Sequence, residues 1–171
     1  ILAVSEFTMQ RIVAHCPGSE AKIRVVYNGV DARFHPIGAG EIEGMRLRLG
    51  IPSAHYMVAL GSLEPRKNVP RLLQAWTGAL GRIPDDLWLV LAGAQGKRTV
   101  FGEVRLANLP TRVHVTGHVP DELLPALYSG AIAAPYVSLY EGFGLPPLEA
   151  MACGTPPLAS NIASLPEVIG D

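Results

Sequence analysis

The sequence predicts an α/β chain built on a doubly wound parallel sheet. Three observations carry that prediction. Apolar runs of strand length alternate with stretches of helical spacing, the runs are apolar at nearly every position, and several end in glycine. Strands apolar on both faces, each followed by a helix, need cover on both sides, which a parallel sheet with crossover helices provides. Right-handed crossovers then give a Rossmann-like sheet, whose ligands bind beyond the carboxyl ends of the strands.

The elements follow in order. "SEFTMQRIVAHC" reads as a helix opening at Ser5, and "KIRVVYNGVD" as a strand running into an Asn-Gly turn. "RFHPIGAGE" is irregular and reads as a linker. "YMVALG" (56–61) is a buried strand. Residues 68–80 form a helix, with Asn68 as N-cap, Pro70 in the permissive first turn and an apolar stripe through Val69, Leu72, Leu73, Trp76 and Leu80. "LWLVLAG" (87–93) and "VHVTG" (113–117) are the next strands. Asp121 caps a short helix, "ELLPALYSG", and "AIAAP" (131–135) is a fourth strand. "PPLEAMACG" is a helix, "TPPLAS" a proline-weakened strand, and "SLPEVIG" starts a last helix.

Bulk properties exclude several classes. The 171 residues suit one ordinary domain with a small appended piece, and 49% hydrophobic content argues against disorder. A net charge of −1 gives no global basic field for nucleic acid or an anionic membrane. Two distant cysteines, Cys16 and Cys153, favour a reducing compartment over a disulfide scaffold. No apolar run approaches the ~18–20 residues of a membrane span. The start, "ILAVSEF", has no signal-peptide character and no initiator Met, so we expect an internal piece of a longer protein.

Two stretches can carry chemistry. In "GSLEPRKN", Arg66 and Lys67 immediately precede a helix N-terminus, where cations are unfavourable unless an anion sits with them. A phosphate site and a solvated basic turn both fit. In "LYEGFGLPPLEAMACG", Gly142 and Gly144 allow close backbone approach, and Pro146 and Pro147 pre-set a helix start. This puts Glu141 on a loop and Glu149 in the first helical turn. There a carboxylate is favourable without any ligand, so a binding pair and a turn followed by a capped helix both remain open. A glycosidase pair would need a carboxyl separation that sequence does not supply. His114 and His118, four apart on a strand, stand about 13 Å from one another and make no metal site.

Over nearly its whole length the chain resembles the donor-binding core of retaining glycosyltransferases of family 4, which have the two-domain GT-B fold. "LYEGFGLPPLEAMACGTPPLASNIASLPEVIGD" resembles the donor motif, "GSLEPRKN" the diphosphate loop, "GHVPDELLPALYSGA" the segment flanking the base and "NGVD" the interdomain linker. The resemblance implies that Glu149 bonds the donor's ribose hydroxyls and Glu141 the transferred sugar. The N–H groups of Gly142, Phe143, Gly144 and Leu145 would meet sugar hydroxyls and diphosphate. Lys67 with Arg66, beside Gly61 and Ser62, would neutralise the leaving diphosphate, and backbone at His118 and Val119 would frame the base. Cations and N–H groups held in place would stabilise the charge that develops on the diphosphate, with no metal and no cofactor.

The chain departs from the pattern where Ser62 replaces a common Arg and where Val137-Ser138 replaces a common Pro-Ser. The resemblance implies that residues 1–30 are the tail of an N-terminal acceptor domain with its linker, and 31–171 the donor domain, cut short at its C-terminus. We therefore expect a hexose, of mannose or glucose type, to pass from a GDP- or UDP-linked donor to a glycan or lipid-linked acceptor held by the other half. This would be cytoplasmic, or peripheral on the inner membrane face, as in surface polysaccharide synthesis. The piece alone would be inactive. A disaccharide synthase or phosphorylase of the same fold and a non-catalytic nucleotide-sugar-binding module are the rivals.

Overall fold

The structure is a computed structural model and describes residues 1–61, 64–93 and 109–170. At the N-terminus β1 (Leu2–Ala3) and β2 (Arg24–Val25) pair in parallel on either side, in sequence, of helix α1 (Glu6–His15). Ser5 is the N-cap of α1 and accepts the Thr8 N–H at 3.0 Å. A cap of this kind is worth about 1 kcal/mol.

The main sheet starts with β3 (Tyr56–Leu60), β4 (Trp88–Ala92) and β5 (Val113–Gly117), parallel and in that order. A second parallel pair, β6 (Ala134–Tyr136) and β7 (Pro157–Ala159), joins the free edge of β3 through a bridge between Met57 and Ala133. There the Val58 N–H reaches the Ala133 carbonyl at 3.0 Å. Across the molecule the order is thus β5-β4-β3-β6-β7. The chain winds outward from β3 to β5, then crosses back to continue on the other side of β3. The crevice beyond β3 and β6, where winding reverses, is the place such a sheet offers a ligand.

Strand alternation covers both faces. Val58, Val90 and Ala92 pack with Met45 of α2 (Ala39–Arg48), with Leu127 and Tyr128 of α4 (Leu124–Ser129), and with Ala150 of α5 (Leu145–Ala152). Leu89 and Leu91 point the other way, into Val69 and Trp76 of α3 (Val69–Ala79). Leu89, Val90 and Val58 are each 0% exposed. Burying such side chains contributes about 1.5–3 kcal/mol each. The last helix is α6 (Leu165–Ile169).

Four expectations are corrected. The fourth strand spans 134–136 and not 131–135: the Ala131 N–H closes α4 on Tyr128, while Ile132 and Ala133 pair with the edge of β3 just ahead of β6. Asp121 does not cap its helix. It starts a 3₁₀ turn, Asp121–Leu123, whose N-cap is Pro120, and its carboxylate stands 3.7 Å from Arg33. Asn68 occupies the N-cap of α3 in a left-handed conformation, φ 55°, but its side chain bonds the Val137 carbonyl at 3.3 Å. The linker region is not free of the core: Phe34 is buried against Tyr128, rings 6.2 Å apart. Helix α2, which follows it, leaves little trace in the sequence. Gly40 and Gly44 lower its propensity, and it buries only Met45, so its helical stripe is faint.

Candidate functional site

The turn after β3 and the loop after β6 meet beyond the strand ends. Two bonds stitch them together: the Leu139 N–H to the Arg66 carbonyl at 2.7 Å, and the Asn68 amide to Val137. A cavity opens at that junction, lined by Gly61, Lys67, Gly93, Val115, Tyr136 and Ser138 among others. The close approach of strand ends depends on glycine. Gly61 (φ 147°) and Gly93 (φ 137°) are both in backbone conformations that side chains disfavour. The Lys67 stem lies over Gly61, where an added Cβ would stand 3.4 Å from Lys67 Cε.

Glu141 is the centre of the charge cluster. It is 7% exposed, with Oε1 2.9 Å from Lys67 Nζ and Oε2 2.8 Å from an Arg66 guanidinium nitrogen. Arg66 also holds Glu64 at 2.7 Å. Lys67 donates a very short hydrogen bond to the Tyr136 hydroxyl, which donates to Glu141 at 3.2 Å. Lys67 Nζ also lies 4.5 Å from the Tyr136 ring centre. The cluster therefore places two cations and two carboxylates together. An incoming anion would meet cations already paired, and would have to draw Lys67 and Arg66 from Glu141.

Burial acts to raise the Glu141 carboxyl, but the Lys67 hydrogen bond and the Lys67 and Arg66 charges outweigh it and hold its pKa below the usual value. Ser138 is 1% exposed, and its hydroxyl makes no hydrogen bond of ordinary geometry, yet lies near enough to Glu141 to favour its ionised form. Lys67 is also shifted downward: burial lowers it more than the pairing with Glu141 raises it. Because the Glu141 pKa is depressed on folding, its contribution to stability is present above the ordinary 4.5 and is lost as pH falls through the folded value. We expect the urea midpoint of the parent to fall more steeply with acid below that pH than that of Glu141→Gln. Parallel curves would remove Glu141 from the acid response.

The glycine loop is built differently from an ordinary helix entry. Gly144, φ 118°, is the N-cap of α5, and Pro146 and Pro147 in the first turn carry no N–H. The donors left at this helix end belong to the loop and to Leu145. Three loop carbonyls lie within reach of hydroxyls: Glu141 and Phe143 of Ser164 at 3.0 and 2.8 Å, and Gly142 of Ser5 at 2.6 Å and Thr8 at 3.0 Å, while the Gly144 carbonyl accepts the Leu148 N–H of α5.

Glu149 is in the second turn of α5, not the first. The helix-end explanation for a carboxylate there is weakened accordingly, since the dipole effect fades beyond the first turn. It is partly buried, its pKa is raised by burial, and the Tyr128 hydroxyl reaches it at 3.4 Å. His118 is exposed after β5, while Val119 is 4% exposed and packs in the core. Ser62 lies outside the described residues. Lys67, Arg66, Glu141 and Gly61 thus come together; Glu149, His118 and Val119 stand on other elements. Sequence reasoning missed Tyr136, which only a count along β6 to its carboxyl end would have flagged. It also missed Ser5, Thr8 and Ser164 as loop partners, and no local signal reveals a contact across 137 residues.

The chain matches the family model described as "Glycosyl transferases group 1" over residues 47–171. It is 35% identical to an O-antigen chain mannosyltransferase B of Escherichia coli, across 100% of this chain and 45% of that protein. The chain spans less than half the length of the curated relatives it matches. Among solved structures it superposes on Anabaena HepE, in complex with UDP and glucose, with a TM-score of 0.79 at 24% identity, across 99% of this chain and 46% of that one. It also superposes on the sucrose-phosphate synthase of Thermosynechococcus elongatus, with a TM-score of 0.74 at 28% identity, across 96% and 41%. These neighbours are glycosyltransferases of the GT-B fold.

Proposed function

This chain belongs to the glycosyl transferases group 1 family, and from that premise we propose that it is the donor-binding, C-terminal half of a metal-independent, retaining hexosyltransferase of family 4. The observation that carries this is the Lys67, Arg66 and Glu141 cluster, with Glu141 immediately before the glycine loop, at the reversal of strand winding. Lys67 lines the cavity, so a diphosphate there would lie beside it, and would have to extend past Lys67 to meet Arg66 and the loop N–H groups, which do not line the cavity. As the sugar–diphosphate bond breaks, charge grows on the leaving oxygen, and the cations, already drawn from Glu141 when the donor bound, lower the barrier without further reorganisation. Glu141, released from the cations, would turn to a hydroxyl of the transferred sugar. Glu149, with Tyr128 beside it, would hold the ribose.

Residues 1–30 are then the end of the acceptor domain and the linker, and 31–171 the donor domain. The separate pairing of β1 with β2 supports that division. The mannosyltransferase relatives support mannose as the sugar and a GDP-linked donor, with UDP-sugars next. The acceptor would be a growing glycan or a lipid-linked one in surface polysaccharide synthesis, on the cytoplasmic side. No helix among the described residues is long and apolar enough to cross a membrane. Without the acceptor half, this piece binds donor and does not turn over.

A thermal-shift panel tests the proposal, because a ligand selective for the folded state raises its stability by RT ln(1 + [L]/Kd). GDP-mannose and UDP-glucose should each be compared with phosphate and free nucleosides. A melting temperature unmoved by every nucleoside diphosphate sugar would overturn the donor role. Within the same panel, Glu149→Ala should lose most of the preference for ribose over deoxyribose nucleotides, on the order of tenfold for one charge-assisted contact. An unchanged ratio would leave Glu149 a packing residue beside Tyr128.

A further inference from the structure

Resting on that donor-site reading, we propose that Ser5, Thr8 and Ser164 are positioning residues that fix the peptide planes of the Gly142–Gly144 loop, so that the N-terminal segment helps set the geometry at the donor. Three consecutive carbonyls lie within hydrogen-bond reach of this set: Gly142 of the Ser5 and Thr8 hydroxyls, and Glu141 and Phe143 of the Ser164 hydroxyl, whose one proton is shared between them. Ser5 and Ser164 are both 0% exposed, so water does not compete for those carbonyls. No peptide bond among the described residues is cis. In a trans peptide the N–H points opposite to the carbonyl that precedes it. Pinning the carbonyls of 141 and 143 from the Ser164 side therefore directs the N–H groups of Gly142 and Gly144 away from Ser164. Pinning the carbonyl of 142 from α1 directs the Phe143 N–H away from α1.

The rest of the N-terminal segment grips the same loop. The Phe7 ring packs edge-on to Tyr140, centres 5.4 Å apart, and Tyr27 lies 6.1 Å from Phe143. Glu167 of α6 accepts the N–H groups of Glu6 and Phe7 at 2.9 and 3.1 Å, closing the first turn of α1 with a carboxylate, and takes the Tyr27 hydroxyl at 3.2 Å. Residues 5, 7, 8 and 27 thus touch positions 140, 142 and 143 from one side, and Ser164 reaches 141 and 143 through its hydroxyl. Glycines 142 and 144 would otherwise let these peptides rotate at little cost. The hydroxyls supply the order that the glycines lack. A displacement of α1 carries the Gly142 carbonyl with it, so the loop reports the position of the N-terminal segment.

The test separates loop geometry from general stability. Titration calorimetry of the parent, Ser5→Ala, Thr8→Val and Ser164→Ala would use GDP-mannose, UDP-glucose and the corresponding nucleoside monophosphates. Loss of one such hydrogen bond should weaken the sugar-nucleotide affinity about fivefold to tenfold. Monophosphate affinity, which on this reading depends less on the loop peptides because it lacks the sugar and the β-phosphate, should fall by less than about twofold. Thr8→Ser, which keeps the hydroxyl, should restore the parent value. Equal sugar-nucleotide affinities across the set would overturn the proposal. So would an equal fall in both ligand classes, which marks a purely structural role. Thr8→Val leaves the Ser5 cap of α1 in place and carries the result if Ser5→Ala fails to fold. A parent that binds no sugar nucleotide at all refutes the donor reading first, and this inference with it.

Discussion

Lys67→Met in the full-length enzyme should lower kcat by about 10²–10³-fold, the usual cost of deleting one preorganised donor to a developing anion. The effect should exceed the loss of donor affinity. The diphosphate is already charged in the ground state, and only the charge added as the sugar departs discriminates between the two states. Lys67 is well placed to meet that added charge. Its side chain is 11% exposed, its stem lies over Gly61, and its ammonium is held between Glu141 and the Tyr136 hydroxyl. The substitution also leaves Glu141 with Arg66 as its cation, and unpairing a buried charge is itself costly. Melting temperature and nucleoside monophosphate affinity must therefore be measured alongside. A variant that still folds, binds monophosphate and keeps parental kcat would remove Lys67 from the leaving-group role.

Gly93→Ala should destabilise the fold by about 3 kcal/mol or more. A Cβ built there stands 2.2 Å from the Gly61 carbonyl oxygen and 2.7 Å from its carbon. Those atoms are backbone and have no rotamer by which to escape. The same carbonyl region sits where two ladders end: between β3 and β4 the Gly61 N–H reaches Ala92 at 2.9 Å, and between β4 and β5 the Gly93 N–H reaches Gly117 at 2.8 Å. Relief of the clash therefore means parting the strand ends that line the cavity. For a chain of this size the loss corresponds to a melting temperature lower by about 6–12 °C. Gly78→Ala, in the last turn of α3 with nothing within 4 Å of its Cβ position, should instead stabilise slightly, by up to about 0.5 kcal/mol. Equal melting temperatures for Gly93→Ala and the parent would show that the strand ends yield more easily than their packing implies.

Sequence alone determined the parallel α/β character of the chain, because strand-length runs apolar at nearly every position are buried between two helical layers. It also placed the charged turn and the glycine loop at strand carboxyl ends, since Gly61 follows its strand directly and the loop follows the strand read over 131–135, and it located Ser5 as a helix cap. Those are local facts, written in spacing and residue type. It could not reveal α2, whose glycines and weak stripe hide a helix that packing on Met45 sustains. Nor could it see that Asn68 and Asp121 spend their side chains elsewhere than on capping, because the partners that divert them, Val137 and Arg33, are distant in the chain.

Only the tertiary structure decided how the site is wired. Folding brings Glu141 onto Lys67 and Arg66 across 74 and 75 residues, so the two motifs become one neutral cluster. It also carries Ser5 to Gly142 and Ser164 to Glu141 and Phe143, fixing peptide planes that glycine leaves free. The physical reason is common to both: a charge or a carbonyl is satisfied by whatever donor the sheet winding delivers within hydrogen-bond reach, and that delivery depends on strand order, which no local pattern encodes.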